Sequence, residues 1–121
     1  MRLLNTSSVK VTRYGEQALD DNGNVVVTQK QTFSVTGNWQ PVPNVQKGEV
    51  AKVLPEGVKI EDVLVFFTKS ELKPDNEKTG FTGDEVELDG WRYKVIQERN
   101  WSVQLPRIRH REFLLVRKTK L

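Results

Sequence analysis

Apolar and polar positions alternate over residues 8–14, where Val9 and Val11 are interleaved with Lys10, Thr12 and Arg13. A period of two carried by β-branched residues is strand patterning, so this stretch predicts the first strand. Asp20-Asp21-Asn22-Gly23-Asn24 is a dense turn signal, because Asn and Gly accept positive φ at little cost, and Val25-Val26-Val27 opens a second extended run. Together they predict a hairpin joining residues 8–18 with 25–36. The second run continues through Phe33 and Val35 to Gly37-Asn38-Trp39-Gln40-Pro41, where the glycine permits a bulge or bend and Pro41 and Pro43 end ladder pairing. A strand of that length predicts that residues 8–36 project from the body of the domain.

Residues 48–54 hold enough helix formers for about two turns before Pro55, although the same run is compatible with a strand. Pro55-Glu56-Gly57 reads as a turn. Val63-Leu64-Val65-Phe66-Phe67-Thr68 is so continuously apolar that both faces of its strand should be covered, which makes it the expected central strand. The polar stretch from Lys73 to Gly83, with Pro74, Asp75, Asn76 and two glycines, predicts a flexible surface loop around Phe81. The sharpest local expectation is a hairpin over 84–97, since Asp89-Gly90 supplies the positive-φ pair of a type I′ turn between alternating runs. Two-residue closure sets Leu88 opposite Trp91 and Val86 opposite Tyr93 on an apolar face, with Glu87 meeting Arg92 and Glu85 meeting Lys94 on the other. A last strand is expected from Arg109 to Lys118. Six or so strands with turn punctuation and at most one short helix predict an all-β, mainly antiparallel fold, a small barrel or sandwich.

Composition narrows what such a fold can do. The 121 residues suit one domain over 1–121, and no internal repeat is visible. The absence of cysteine removes disulfides, thiol nucleophiles and cysteine-ligated zinc. The opening Met1-Arg2-Leu3-Leu4 lacks the apolar core of a signal peptide, and no run approaches the roughly 20 apolar residues of a membrane span, which predicts a cytoplasmic product without membrane contact. The net charge of +3 is unevenly spread. Glu71 to Asp89 holds seven acids against two lysines, net −5, whereas Pro106 to Leu121 holds six Lys/Arg against one Glu, net +5. The two segments are complementary.

The chemistry-bearing residues form no catalytic pattern, and no enzyme, metal or cofactor is expected. His110 is the sole histidine and sits between Arg109 and Arg111, so it reads as a surface or interface residue rather than a general base. Asp84, Glu85, Glu87 and Asp89 lack the spacing of a calcium loop, and Gly80, Gly83 and Gly90 form no phosphate-binding fingerprint. Arg107, Arg109 and Arg111 recur at every second position and would form a basic comb on one strand face. That comb, with Lys118 and Lys120, is the candidate contact for phosphates or a DNA channel. If the fold were an OB-like barrel, Trp39, Trp91 or Trp101 could stack bases beside it, which makes a single-stranded nucleic-acid-binding module the alternative reading.

Gly37-Asn38-Trp39-Gln40-Pro41, the stretch LPEGVKIEDVLVFFTKSEL at 54–72, the hairpin DEVELDGWRYKV at 84–95, then Trp101 and a closing strand follow one another in an order that resembles small neck proteins of tailed bacteriophages, of the head-completion, connector, stopper or collar type. The resemblance covers roughly residues 37–118, and the long N-terminal hairpin departs from the shortest such proteins. It implies a β-barrel with extensions, assembled as a homo-oligomeric ring in the virion neck between portal or adaptor ring and tail proteins. Double-stranded DNA would pass through that ring, in passive contact with it, and no catalysis is implied. A head-to-tail ring needs two different surfaces on each subunit. Phe81, Asp84, Glu85 and Glu87 are expected on one of them and Arg107, Arg109 and Arg111 on the other, while the hairpin could extend a neighbour's sheet by strand addition.

Overall fold

A computed structural model describes residues 7–15, 17–19, 21–27, 30–76, 82–99 and 111–121. Among the described residues there are eight strands: β1 (Ser7–Tyr14), β2 (Gln17–Leu19), β3 (Val25–Val27), β4 (Lys30–Pro41), β5 (Val63–Thr68), β6 (Glu85–Leu88), β7 (Trp91–Arg99) and β8 (Arg111–Lys120). One α-helix, α1 (Lys47–Val53), lies between β4 and β5 and ends just before Pro55, which cannot continue a helix. Six strands close into a barrel in the order β1-β4-β5-β8-β7-β6, every pairing antiparallel, and β2–β3 form a separate two-stranded sheet.

The N-terminal hairpin pairs as its alternation predicts, but residues 8–36 do not project as a unit: β1 and β4 are staves of the closed barrel, because each also pairs with a second barrel strand, and only β2 and β3 form a separate sheet. Ser7–Tyr14 lie opposite Lys30–Gly37, and beyond them Gln17–Leu19 lie opposite Val25–Val27. The barrel seam is short by comparison: β1 meets β6 through three residue pairs, Lys10 with Glu87, Val11 with Val86 and Thr12 with Glu85.

β5 is covered on both faces, and the period of two divides its residues between two cores. Phe66 packs inside the barrel with Val11, Val35, Val86, Val95, Phe113 and Leu115, with Leu64 against them. Val63 and Val65 point the other way, into an outer layer with Val42, Val50, Leu114 and Val116, packed over by Leu54, Val58 and Ile60 from α1 and the turn that follows. The single apolar residue buried on α1 is Val50, so the helix acts as a small lid on the outside of β5 and β8.

Gly37 serves a different purpose from the bend expected of it. β4 passes through it without a register shift, paired with Ser7 on one side and Thr68 on the other. A Cβ at this position would stand 2.5 Å from Cζ of Phe66 and 2.7 Å from the Phe67 carbonyl oxygen, so the missing side chain is what lets the Phe66 ring cross β4. The irregularities lie instead in the β7–β8 ladder, where Lys118 of β8 is left over between the Arg92 and Tyr93 pairs and Ile96 of β7 between the Val95 and Gln97 pairs. There an extra residue increases the local twist and helps curl the sheet shut.

The β6–β7 hairpin has the expected register. Asp89 at φ 48° and Gly90 at φ 81° form the turn, with Leu88 opposite Trp91 and Val86 opposite Tyr93. Gly48, in the first turn of α1, has no atom within 4 Å of a built Cβ. Gly48→Ala is therefore expected to stabilise the chain by about 0.5 kcal/mol through reduced unfolded-state entropy, read as a higher urea midpoint at unchanged m-value.

Candidate functional site

Asp84 is placed by a short β-bridge-like exchange between the segment after β5 and the start of β6. Its N–H donates to the Lys73 carbonyl at 2.7 Å, and its own carbonyl accepts from the Val95 N–H at 3.0 Å. The side chain is 1% exposed, so Asp84 offers no surface to a neighbouring subunit, in contrast to the role expected from its acidic surroundings. Its carboxylate accepts from Nε of Arg13 at 3.0 Å, from Nη2 of Arg13 at 2.9 Å and from the Lys73 N–H at 2.8 Å. Arg13 also donates to the Glu71 carbonyl at 3.0 Å and stacks over Phe33, 4.9 Å from the ring centroid. The hydrogen bond to Asp84 raises the Arg13 pKa above its ordinary value, against the opposing pull of burial. This pair fastens the end of β1 to the β6 side of the barrel, next to the three-pair seam.

Glu85 and Glu87 lie on the outer face of the same seam, and both are already engaged. Glu85 pairs with Arg92 at 3.4 Å and accepts the Tyr14 hydroxyl, while Glu87 lies 4.0 Å from both Lys10 and Arg92. Burial, followed by that hydrogen bond to Glu85, pushes the Tyr14 hydroxyl up to about 12, so it remains a donor at any ordinary pH. Lys94, opposite Glu85 in the ladder, turns to Asp75 at 3.3 Å instead.

Arg111 pairs with Glu98 at 2.9 Å and lies 3.7 Å from Glu71. The acidic and basic segments thus meet within one chain at Glu71 and Arg111. Lys118 and Lys120, near the end of β8, are exposed and form no ion pair among the described residues. Phe81, Arg107 and Arg109 lie outside the described residues, as do His110 and Trp101. The remaining tryptophans are occupied: Trp39 packs against Phe66 with ring centroids 6.5 Å apart, and the guanidinium of Arg117 covers Trp91 at 4.5 Å. Each ring thus has a partner within the chain against at least part of its surface. Among the described residues no group of three or more His, Asp or Glu is arranged to hold a metal ion.

Glu112 carries no signal in the sequence that sets it apart. It falls opposite Arg99 in the β7–β8 ladder, at the end of the outer layer under α1, and is 8% exposed. Its Oε2 has no hydrogen-bond partner among the described residues, and Arg99 Nε stands 3.8 Å away. Burial pushes its carboxyl above the ordinary value, and Arg99 pulls part of the way back. A folded pKa above the unfolded one means the folded chain holds this proton more tightly. The group therefore costs nothing below the unfolded pKa, and its penalty grows as pH rises through the folded pKa. Glu112→Gln is expected to remove that decline, giving a flatter stability profile from pH 4.5 upward, measured by urea unfolding at stepped pH. An unchanged profile would assign the decline to other groups.

No family model matches the sequence, and no curated protein matches it either.

Proposed function

We propose that this chain is a structural ring subunit of the neck of a tailed bacteriophage, standing between portal and tail, with DNA passing through the ring. The observation that carries the reading is the division of the sheet: a closed barrel, and outside it the β2–β3 ladder, whose two strands pair only with each other among the described residues. A two-stranded ribbon is marginal in water, and its unpaired backbone edges are suited to adding a strand from a neighbour. Together with the ordered motifs from Gly37 to the last strand, this supports a protein whose work is subunit contact rather than catalysis. The acids of the β6–β7 hairpin are satisfied inside the chain, so the reading puts ring contacts on the β2–β3 ladder rather than on complementary charge stripes. Lys118 and Lys120 remain available to DNA.

The test is negative-stain imaging with mass measurement, on the protein alone and mixed with portal complexes, at low and high salt. Closed rings or decorated portals that persist at high salt are the expected result, since strand and apolar contacts resist screening. Val26→Pro, which disrupts the β2–β3 ladder, is expected to abolish assembly while the thermal midpoint of the barrel is kept. A monomer that ignores portals, or a Val26→Pro variant that assembles normally, overturns the reading.

A further inference from the structure

We propose that the cleft where the N-terminal hairpin leaves the barrel binds phosphate-bearing anions. The cleft encloses ≈ 650 Å³ and is lined by Arg13, Tyr14 and Gly15 from the end of β1, Lys30 and Gln31 from the start of β4, and Lys73 from the segment after β5. That volume is within the range of small-molecule sites and well above the size of one inorganic phosphate.

Its cations are held by rigid backbone. Lys30 lies opposite Tyr14, and Gln31 opposite Arg13, in the β1–β4 ladder. Lys73 is fixed at both ends of its peptide unit by Asp84, whose carboxylate takes the Lys73 N–H and whose N–H donates to the Lys73 carbonyl. Three cationic residues thus line one concavity from three separate stretches of chain.

Among the described residues the charge there is only partly balanced. Asp84 balances Arg13 alone, and Lys30 and Lys73 form no ion pair among the described residues. Of the described acids, Glu71 lies by Arg111, Asp75 pairs with Lys94, and Glu85 pairs with Arg92. Two lysines that line one cleft and have no ion pair among the described residues favour a ligand with more than one negative charge, and lysine serves phosphate as a mobile point charge. Gln31 adds neutral hydrogen-bonding capacity. A chain of linked phosphates matches both volume and charge, whether it comes as a small polyphosphate or as nucleic-acid backbone. The inference is independent of ring assembly.

The probes are inorganic tripolyphosphate and a short oligothymidylate, each titrated into the full chain by calorimetry and by amide NMR. Saturable shifts centred on Gly15, Lys30, Gln31 and Lys73 are expected. Lys30→Glu with Lys73→Glu is expected to weaken binding by roughly tenfold or more, with Lys30→Ala and Lys73→Ala as the milder check and thermal melting as the control for folding. Lys118→Glu with Lys120→Glu makes the same charge change elsewhere and is expected to leave the cleft's affinity nearly unchanged. Tripolyphosphate binding assigns the cleft to small polyphosphates, and oligothymidylate binding without it assigns the cleft to backbone. Binding of neither probe, or equal loss in the two double variants, overturns the proposal.

Discussion

Asp84→Ala is expected to destabilise the barrel by about 3 kcal/mol, the lower end of the range for breaking one side of a buried ion pair. Three donor hydrogens lose their acceptor at once, two on Arg13 and one on the Lys73 amide. The guanidinium is left beside the seam, and its 23% exposure lets water recover part of the loss, which is why the higher end of the range does not apply. For a chain of this length the thermal midpoint should fall by roughly 10 °C or more. Asp84→Asn keeps an acceptor for the Lys73 amide but removes the charge, and it should fall between wild type and alanine. Arg13→Ala combined with Asp84→Ala should cost less than the two single changes added together, because the pair acts as a unit. A loss below about 1 kcal/mol for Asp84→Ala would show that the seam holds without this fastening.

Gly37→Ala is expected to cost about 2–3 kcal/mol, unusual for the addition of one methyl group to a strand. The obstruction has two parts. The Phe66 ring at 2.5 Å could turn only by leaving its fully buried site between Trp39 and the barrel interior. The Phe67 carbonyl oxygen at 2.7 Å belongs to the β4–β5 ladder and cannot move without disturbing the backbone pairing. Pairing the change with Phe66→Leu should recover part of the loss, since a smaller side chain frees the ring's share of the space. Chemical denaturation followed by tryptophan fluorescence reads both variants, and a Gly37→Ala protein as stable as wild type would refute the close-approach account. Gly48→Ala, with the same chemical change and the opposite expected sign, provides the internal contrast.

The features legible in the sequence are those whose physics is local. Asp89-Gly90 dictates its turn through φ alone, and two-residue closure then fixes four cross-strand pairs. The unbroken apolar run at 63–68 announces a strand covered on both sides, since no solvated face could tolerate it. Other features depend on partners far away in the chain. Asp84 reads as one acid among many until β1 brings Arg13 to it from 71 positions away. Gly37 reads as a place to bend because only the packed Phe66 ring shows that the space is taken. Glu112 looks like a lone acid in a basic strand, and its place between Phe67 of β5 and Arg99 of β7 appears only once those strands pair with β8. The cleft of Arg13, Lys30 and Lys73 has no linear signature, since its residues come from three separate segments.

The three-pair ladder between β1 and β6 sets the order in which the chain can fold. Every other barrel ladder joins strands that can pair before the cylinder exists, so a curled sheet running β1-β4-β5-β8-β7-β6 is complete apart from one join. That join connects Lys10 with Glu87 and rewards the chain with few hydrogen bonds for closing a long loop, which makes it entropically the last and slowest to form. Until it closes, β1 and β6 are two open edges on one molecule. A chain newly made at high concentration could close that join onto a second copy instead, so the seam is also the place where domain swapping would begin.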